Sequence, residues 1–369
     1  MLSETIKSVF LIKTPLQYLN ALEALNQFDL KPSDALLILL ADKKSLPQLQ
    51  SLVRSEHDWG GVVRLLTAPL LLTMTSVCRN DSEIDRTNGS KTPFANALFA
   101  VLKLSFLAAS LPALRYVALG DLGNPLMRHF ANSIHADLML LLDDGVATLK
   151  YARQRQDSSA NLKPLRRAKR ITLYLKRALL GLKDKPLGAV TFFSVYDIKV
   201  AAADRYVRNS FAALRQQACA VEQDDRVYFL GSPLVEADIL SDEECFSQLK
   251  AVDDAVAGAK EILYIAHRRE SPERVQRLCA SLGWESQLFD YPIEYQLAIV
   301  GPKPAVLASF VSSALPNCRL IFGETLQICA YRLSPEYFSK QSSEVGSRID
   351  AVYKEYEQLA DESFKVVTL

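Results

Sequence analysis

The chain is poor in the residues that mark several classes of protein. Its 369 residues include only 14 glycines and 16 prolines, which excludes a fibrous or low-complexity polymer. The six cysteines form no CxxC pair, a pattern typical of reduced thiols in a cytoplasmic protein. The 43 basic and 42 acidic residues nearly cancel, so the chain lacks the overall charge expected of a nucleic-acid-binding protein.

Long uninterrupted apolar runs are also missing. The longest, residues 94–114, contains an asparagine, a lysine and a proline, and it is better interpreted as a buried amphipathic helix than as a membrane span. Glu4 precedes the first apolar stretch and Lys13 interrupts it, which is not the pattern of a signal peptide. We therefore expect a cytoplasmic protein.

What the chain does have is an alternation of strand-like and helix-like segments. A short buried strand at 8–12 leads into a helix that Pro15 opens, and this rhythm continues to residue 145. Such βαβ rhythm predicts a mainly parallel sheet covered by helices. Further strand-like segments lie at 190–195, 226–230, 262–266, 287–289, 305–310 and 319–322.

The length predicts two domains. We expect an N-terminal α/β domain at 1–187 and a second α/β domain at 188–340. A C-terminal helical segment at 341–369 could pack across the domain junction.

A basic segment at 163–185 interrupts this alternation. It holds nine lysines and arginines against the single acid Asp184, with leucines interleaved. One interpretation is a solvated helix whose leucines pack on its own domain. The other is an amphipathic helix that rests on an anionic membrane surface. The sequence leaves both open.

Three short strings carry the candidate chemistry. Residues 142–145, 264–270 and 309–313 each begin at the end of an apolar, strand-like run. In an open α/β sheet, ligands bind at the carboxyl ends of the strands. We therefore expect these strings to contribute to ligand sites.

The first string contains Asp143 and Asp144, followed by Gly145. A carboxylate can take the proton from a reacting hydroxyl if burial or a like charge raises its pKa. Adjacent acids point in different directions, so one can face a ligand while the other holds the tight turn that Gly145 permits. A plain turn without catalytic function is the alternative.

The second string places His267 between an apolar strand and a charged helix start. A histidine there can donate a hydrogen bond to a phosphate oxygen, and Arg268 or Arg269 can pair with the same anion. Stabilisation of a departing phosphate would be its chemical contribution. The alternative is a surface histidine beside a basic helix start.

The third string ends in Ser312 and Ser313, which follow the strand at 305–310. Hydroxyl and backbone N–H groups at a helix N-terminus can form a small anion site, although such a pair is also a common helix cap. Upstream, Glu294 follows a turn-like proline and could hold ribose hydroxyls; a loop salt bridge is its alternative.

The order of an acidic-acidic-Gly motif, a His motif and a Ser-Ser motif resembles that of the bacterial sialyltransferases of the polysialyltransferase and lipooligosaccharide-sialyltransferase type. The resemblance implies a GT-B architecture, with two Rossmann-like domains facing a central cleft. It further implies inverting, metal-independent transfer of sialic acid or a related nonulosonic acid. The CMP-activated sugar would be the donor substrate, with no other cofactor, and a glycan of a surface polysaccharide or lipooligosaccharide the acceptor.

Carried over to this chain, the resemblance makes Asp144 the general base, with Asp143 as the alternative. It places His267 against the donor phosphate, and Ser312 and Ser313 complete that donor site.

A weaker likeness at residues 13–17 and 120–132 places Thr14 and Gln17 beside the acceptor; the alternative is that they cap and cover the first helix. One departure concerns Arg268, which stands where the family usually has proline. This departure could mean that the donor carries a different nonulosonic acid.

Two other functions fit the same motifs. One is a GT-B transferase that uses a UDP- or GDP-sugar. The other is a non-catalytic nucleotide- or glycan-binding component of polysaccharide assembly, which would not need Asp144. The expected partners are thus a CMP-nonulosonate, a glycan and an anionic inner-membrane surface, without nucleic acid. The oligomeric state is left open.

Overall fold

The structure is a computed structural model that describes residues 5–40, 46–55, 58–65, 93–156, 178–183, 185–256, 260–334 and 343–369. The chain divides into two compact units, Met1–Asn209 and Ser210–Leu369. Each unit is built on one parallel sheet. The predicted pair of Rossmann-like α/β domains is therefore confirmed.

The first unit contains a seven-stranded sheet in the order β3-β2-β1-β4-β5-β6-β7. Its strands are β1 (Ser8–Ile12), β2 (Ala35–Leu39), β3 (Gly61–Arg64), β4 (Leu114–Leu119), β5 (Ala136–Leu142), β6 (Thr191–Ser194) and β7 (Arg205–Arg208). Its helices are α1 (Pro15–Gln27), α2 (Leu46–Ser55), α3 (Pro93–Ser110), α4 (Pro125–Ala131) and α5 (Val146–Gln156). The strand order reverses between β1 and β4, which makes this the topological switch point where such sheets bind ligands.

The domain boundary predicted at residues 187 and 188 is wrong. β6 lies in the first sheet, where Leu140 of β5 pairs with Thr191, and β7 pairs in turn with β6. The buried rings of Phe192 and Phe193 join β6 to the first core. The edge strand β7 escaped prediction because it is short and has an arginine at each end.

The second unit contains a six-stranded sheet in the order β10-β9-β8-β11-β12-β13. Its strands are β8 (Gln223–Leu230), β9 (Ile262–Ile265), β10 (Glu285–Gln287), β11 (Lys303–Ser309), β12 (Gln327–Arg332) and β13 (Phe364–Thr368). Its helices are α6 (Ala212–Ala218), α7 (Asp242–Val256), α8 (Pro272–Leu282), α9 (Ala314–Phe322) and α10 (Ser343–Leu359). The switch point of this sheet lies between β8 and β11.

Two predictions for the second unit need correction. Residues 319–322, predicted as a strand, form the end of α9, because the parallel strands β11 and β12 need a crossover between them. The C-terminal segment is not helical throughout, since β13 follows α10 and pairs with β12. α10 packs on the second unit, where Tyr353 Oη accepts a hydrogen bond from the Leu333 backbone N–H at 2.9 Å.

The two cores are apolar and hold the strand ends in place. In the first unit, side chains of β1 and β2 are buried against those of α3 and α4. In the second unit, the Phe229 ring lies 5.1 Å from that of Phe310 and 5.9 Å from that of Tyr264. These rings belong to adjacent parallel strands or their ends, so the loops that follow start from fixed positions.

Among the described helices, none combines the length and the apolar character that crossing a membrane requires.

We expect Phe364→Ala to destabilise the second unit strongly, because this fully buried ring anchors β13 to the sheet. The expected loss is about 3–5 kcal/mol in the free energy of unfolding, measured by urea denaturation. Leu369→Ala, at an exposed position just beyond the same strand, is the matched control and should change stability by less than about 0.5 kcal/mol. Equal stability of the two variants would contradict the packing of β13.

Candidate functional site

The first unit gathers polar side chains at the carboxyl edge of its sheet, next to the switch point. Thr14 follows β1, Asp121 follows β4, and Asp144 follows β5. Thr14 caps α1 by accepting a hydrogen bond from the Gln17 N–H, and its Oγ1 lies 3.4 Å from Asp144 Oδ1 as a donor. The sheet thus brings together residues that are 130 positions apart in sequence.

Asp143 is committed to holding the backbone. Its buried Oδ2 accepts hydrogen bonds from Ser194 Oγ at 2.6 Å and the Val195 N–H at 3.0 Å. Its Oδ1 accepts from Thr148 Oγ1 at 3.0 Å and the Gly145 N–H at 2.8 Å. Burial raises the pKa of Asp143, and these four hydrogen bonds oppose that shift. The carboxylate has no capacity left for a substrate, which favours Asp144 over Asp143 as the base.

The turn after β5 points the two acids in different directions, as predicted. Gly145 has a φ of +67°, in the left-handed region that glycine adopts without strain. Thr148 completes the turn, since its Oγ1 accepts from the Asp144 N–H at 2.8 Å while donating to Asp143. Asp144 is therefore held by its backbone, and its side chain is only partly buried.

The electrostatic surroundings of Asp144 suit proton transfer. Burial raises its pKa to about 7, and the charges of Asp121 and Asp143 act in the same direction. The Gln17 amide and the Lys13 ammonium oppose the shift. A carboxyl group that is half-ionised near neutral pH is well matched to general-base catalysis.

Gln17 supports this carboxyl from inside the unit. Its side chain is fully buried, and Oε1 accepts a hydrogen bond from the Lys13 backbone N–H at 2.7 Å. The Nε2 group makes no hydrogen bond of good geometry, and the amide acts on Asp144 to lower its pKa. Gln17 was predicted to line the acceptor site; because it is buried, it lies behind Asp144 instead, whereas Thr14 is partly exposed.

Asp121 and Tyr151 are members of this cluster that the sequence analysis did not assign. Asp121 Oδ1 accepts from Tyr151 Oη at 2.6 Å and from the Gly123 N–H at 2.7 Å. Lys13 Nζ lies 3.6 Å from Asp121 Oδ2. The position of Asp121 directly after a strand was an available signal. No sequence signal pointed to Tyr151, because it lies within α5 and only the fold brings it to Asp121.

In the second unit, His267 follows β9, the neighbour of β8 at the switch point. Its backbone N–H donates to Glu270 Oε2 at 2.7 Å, and its Nδ1 accepts from the Arg269 N–H at 3.2 Å. Burial, together with the charges of Arg268 and Arg269, lowers its pKa to about 4. The imidazole is therefore neutral at pH 7 and carries its proton on Nε2, which makes Nε2–H a donor available to a ligand.

Glu270 is the buried carboxylate that holds this loop. Besides the His267 N–H, it accepts from Tyr264 Oη and from Arg274 Nη2, both at 2.8 Å. Arg274 also pairs with Glu236 at 3.0 Å. The sequence analysis assigned no role to Glu270, although an acid three residues after a candidate ligand histidine was a usable signal.

The two residues of the predicted Ser-Ser pair differ: Ser312 is held by hydrogen bonds within the unit, whereas Ser313 is exposed. The Ser312 N–H donates to Tyr356 Oη at 2.8 Å, and that hydroxyl donates back to the Ser312 carbonyl at 2.7 Å. Ser312 Oγ accepts from the Ala314 N–H at 3.3 Å. Ser313 is exposed and its side chain makes no capping bond to α9, so it is the member of the pair that faces outward.

Glu294 differs from its expected position. Its buried carboxyl accepts a hydrogen bond from Asn317 Nδ2 of α9 at 2.9 Å, and burial raises its pKa. The carboxyl thus supports α9 from inside the unit, and the structure does not bring it to a surface where it could hold a ribose.

The basic segment at 163–185 lies mostly outside the described residues, and with it the prediction of membrane binding through that segment. Of its described part, the Lys183 N–H donates to His129 Nδ1 at 3.0 Å. Within the described ranges, no cluster of three or more His, Cys, Asp or Glu side chains could hold a metal ion.

No protein-family model and no curated protein sequence matches the chain. Among solved structures, the UDP-GlcNAc 2-epimerase from Neisseria meningitidis bound to UDP-GlcNAc is similar at 11% identity and a TM-score of 0.45, over 98% of this chain and 95% of that one. The E. coli heptosyltransferase WaaC with ADP is similar at 12% identity and a TM-score of 0.41, over 96% and 99%. At these values the similarity concerns the fold alone.

The two adjacent acids should respond oppositely to substitution. Asp143→Ala leaves four hydrogen-bond donors without an acceptor, two of them in buried contacts, and we expect it to cost at least about 3 kcal/mol of unfolding free energy. Asp144→Asn should stabilise the protein at pH 8. Because the native pKa of Asp144 is raised to about 7, the native state loses stability as pH rises from about 4 through about 7, and an amide at this position does not ionise.

Urea denaturation at pH 4 and pH 8 measures both effects. The gain from Asp144→Asn should shrink at pH 4, where the native carboxyl keeps its proton and the unfolded one has only begun to lose it. A destabilising Asp144→Asn at pH 8 would contradict the raised pKa.

Proposed function

We propose that this chain is an inverting glycosyltransferase that moves sialic acid, or a related nonulosonic acid, from a CMP-activated donor to a hydroxyl of a bacterial surface glycan. The observation that carries the proposal is Asp144: a partly buried carboxyl with a pKa of about 7 at the carboxyl edge of a parallel sheet, next to its switch point. The order of the three sequence motifs supplies the donor class.

In the proposed reaction, the first unit activates the acceptor. The acceptor oxygen bonds to the anomeric carbon of the donor sugar while its proton passes to a carboxylate oxygen of Asp144. Thr14, which already bonds that carboxyl, holds it in place. Burial is the largest cause of the raised pKa of Asp144, and Asp121 and Gln17 adjust that pKa in opposite directions.

The second unit stabilises the leaving group. As the bond between the anomeric carbon and the phosphate oxygen breaks, that oxygen gains negative charge. The His267 Nε2–H and the Ser313 hydroxyl are the donors that we assign to it, with Arg268 and Arg269 as nearby positive charge. A hydrogen bond to an ionised phosphate is among the stronger kinds, and it strengthens as charge develops.

A transferase that uses a UDP- or GDP-sugar would need the same base and a similar phosphate contact. Incubation of the purified protein with CMP-sialic acid, a UDP-sugar or a GDP-sugar, each with a panel of galactosides and oligosialosides, distinguishes these donors by product analysis. Transfer from the CMP donor alone is the expected result. Transfer from another donor would overturn the proposed substrate, and an absence of turnover with all three would favour a non-catalytic binding protein.

Replacement of Asp144 should abolish turnover without loss of donor binding. We expect Asp144→Asn to lower kcat by about 10²–10⁴-fold, the usual contribution of a general base, while the Kd for CMP stays unchanged. In the parent enzyme, activity should rise with pH and reach half of its maximum near pH 7, where Asp144 loses its proton.

The control is Asp121→Asn, which removes a neighbouring negative charge and should shift that half-maximum to lower pH without abolishing turnover. Full activity of Asp144→Asn would refute the base assignment.

Replacement of His267 should damage both CMP binding and turnover. Loss of its hydrogen bond to the phosphate should weaken CMP binding by about 1.5–3 kcal/mol, measured by calorimetry. Ser313→Ala should weaken binding more mildly. Ser312→Ala should affect binding less than Ser313→Ala, because the Ser312 hydroxyl is already engaged by the Ala314 N–H. CMP binding to His267→Ala at parental affinity would show that the donor site lies elsewhere.

A further inference from the structure

The outer face of α3 carries an apolar stripe, which we call the α3 stripe. It consists of Phe99, Leu102 and Phe106, which are 64%, 59% and 74% exposed. Their spacing of three and four residues places them on one side of the helix. This helix was predicted to be buried, but only its opposite face, with Val101 and Leu104, lies in the core.

Such a stripe is unusual on the surface of a water-soluble protein. Contiguous exposed apolar surface of this kind commonly marks a site of interaction with a protein or a membrane. Another large apolar side chain, that of Leu179, is 74% exposed. It lies four residues before Lys183, in the chain segment that is connected to α3 through hydrogen bonds of His129. Four of the eight large exposed apolar residues in the described chain therefore belong to α3 or to this segment.

The attachment is made through His129 of α4. Its Nε2 lies 2.9 Å from Ser105 Oγ of α3, and its Nδ1 accepts from the Lys183 N–H at 3.0 Å. Asn132 strengthens the connection by donating to the Lys185 carbonyl at 3.0 Å. The end of the basic segment is thus fixed to the same part of the first unit as α3.

Within the described residues, the charged side chains of α3 and of residues 178–183 and 185 are all basic. α3 contains no acidic residue, and its single charged side chain, the exposed Lys103, lies between two residues of the stripe. Lys183 and Lys185 are exposed as well. Exposed lysines beside protruding aromatic and aliphatic side chains are the composition that favours a negatively charged bilayer over a neutral one.

We infer that the α3 stripe docks the first unit onto an anionic lipid bilayer. Phe99, Leu102 and Phe106 enter the boundary between headgroups and acyl chains, and Lys103, Lys183 and Lys185 pair with the lipid phosphates. The contact is peripheral, since a helix with a buried inner face cannot insert fully. The inference goes beyond the proposed function, because none of these residues belongs to the site at the sheet edge.

The test uses the full chain and sedimentation with vesicles of phosphatidylcholine, with and without about 30% phosphatidylglycerol. The parent should bind the anionic vesicles more tightly than the neutral ones, and high salt should weaken that binding. Phe99→Ser/Phe106→Ser should weaken binding at least about tenfold, since the two rings supply most of the buried apolar area. Lys183→Glu/Lys185→Glu should weaken binding at low salt only.

The matched control is Leu288→Ser, which removes a 60% exposed apolar side chain in the second unit and should leave vesicle binding unchanged. CMP binding by all variants should stay parental, which separates this test from that of the proposed function. Vesicle binding of Phe99→Ser/Phe106→Ser at the parental level would overturn the inference, as would failure of the parent to bind.

Two further measurements separate a membrane from other occupants of the stripe. Light scattering reports whether the parent is a dimer. If the parent is a dimer that does not bind vesicles, and Phe99→Ser/Phe106→Ser is monomeric, the stripe would be assigned to a second copy of the chain. Phe106→Trp places a fluorophore in the stripe, and brominated lipids in anionic vesicles should quench its added emission. Unquenched emission from vesicle-bound protein would overturn the inference.

Discussion

The buried carboxylate of Asp143 is the interaction on which the first candidate site depends. Its four hydrogen bonds come from the turn after β5, from α5 and from the end of β6. Because these donors lie on three different elements, one side chain fixes the positions of two strand ends and a helix start. Asp144 owes its orientation to this arrangement, since its own backbone N–H is bound by the same Thr148 that donates to Asp143. Because Asp143 holds the loop, the carboxyl of Asp144 is not required for that role and can take part in proton transfer.

The second unit uses the same principle with different residues. Glu270 is buried, binds the backbone of the loop after β9, and is itself held by Tyr264 and Arg274. The residue that it positions, His267, keeps Nε2–H for a ligand. Burial dominates the pKa of both Asp144 and His267 but acts in opposite directions, because it disfavours the charged form of each. It raises the pKa of Asp144 to about 7 and lowers that of His267 to about 4. One unit thereby gains a proton acceptor and the other a neutral donor.

The α3 stripe is separate from these loops, although it belongs to the same unit. The inner face of α3 packs on a core that includes β1 and β4, and Thr14 and Asp121 follow the carboxyl ends of these two strands near Asp144. A rigid core therefore connects the site to the face that we assign to the bilayer. This connection would hold the acceptor end of the site at a constant distance from the membrane, which suits a glycan acceptor carried on a lipid.

The sequence by itself determined the alternation of strands and helices, the presence of two parallel sheets, and the location of Asp144, His267 and Ser313 at strand ends. These follow from local patterns of apolar residues and turn formers. Tertiary structure alone decided that β6 and β7 belong to the first sheet, because strand pairing is a long-range contact. It likewise decided that Asp143 is buried and Asp144 only partly so, that Glu294 is buried beneath α9, and that Tyr151 reaches Asp121. Burial and hydrogen bonding between distant segments set these outcomes, and no local pattern encodes them.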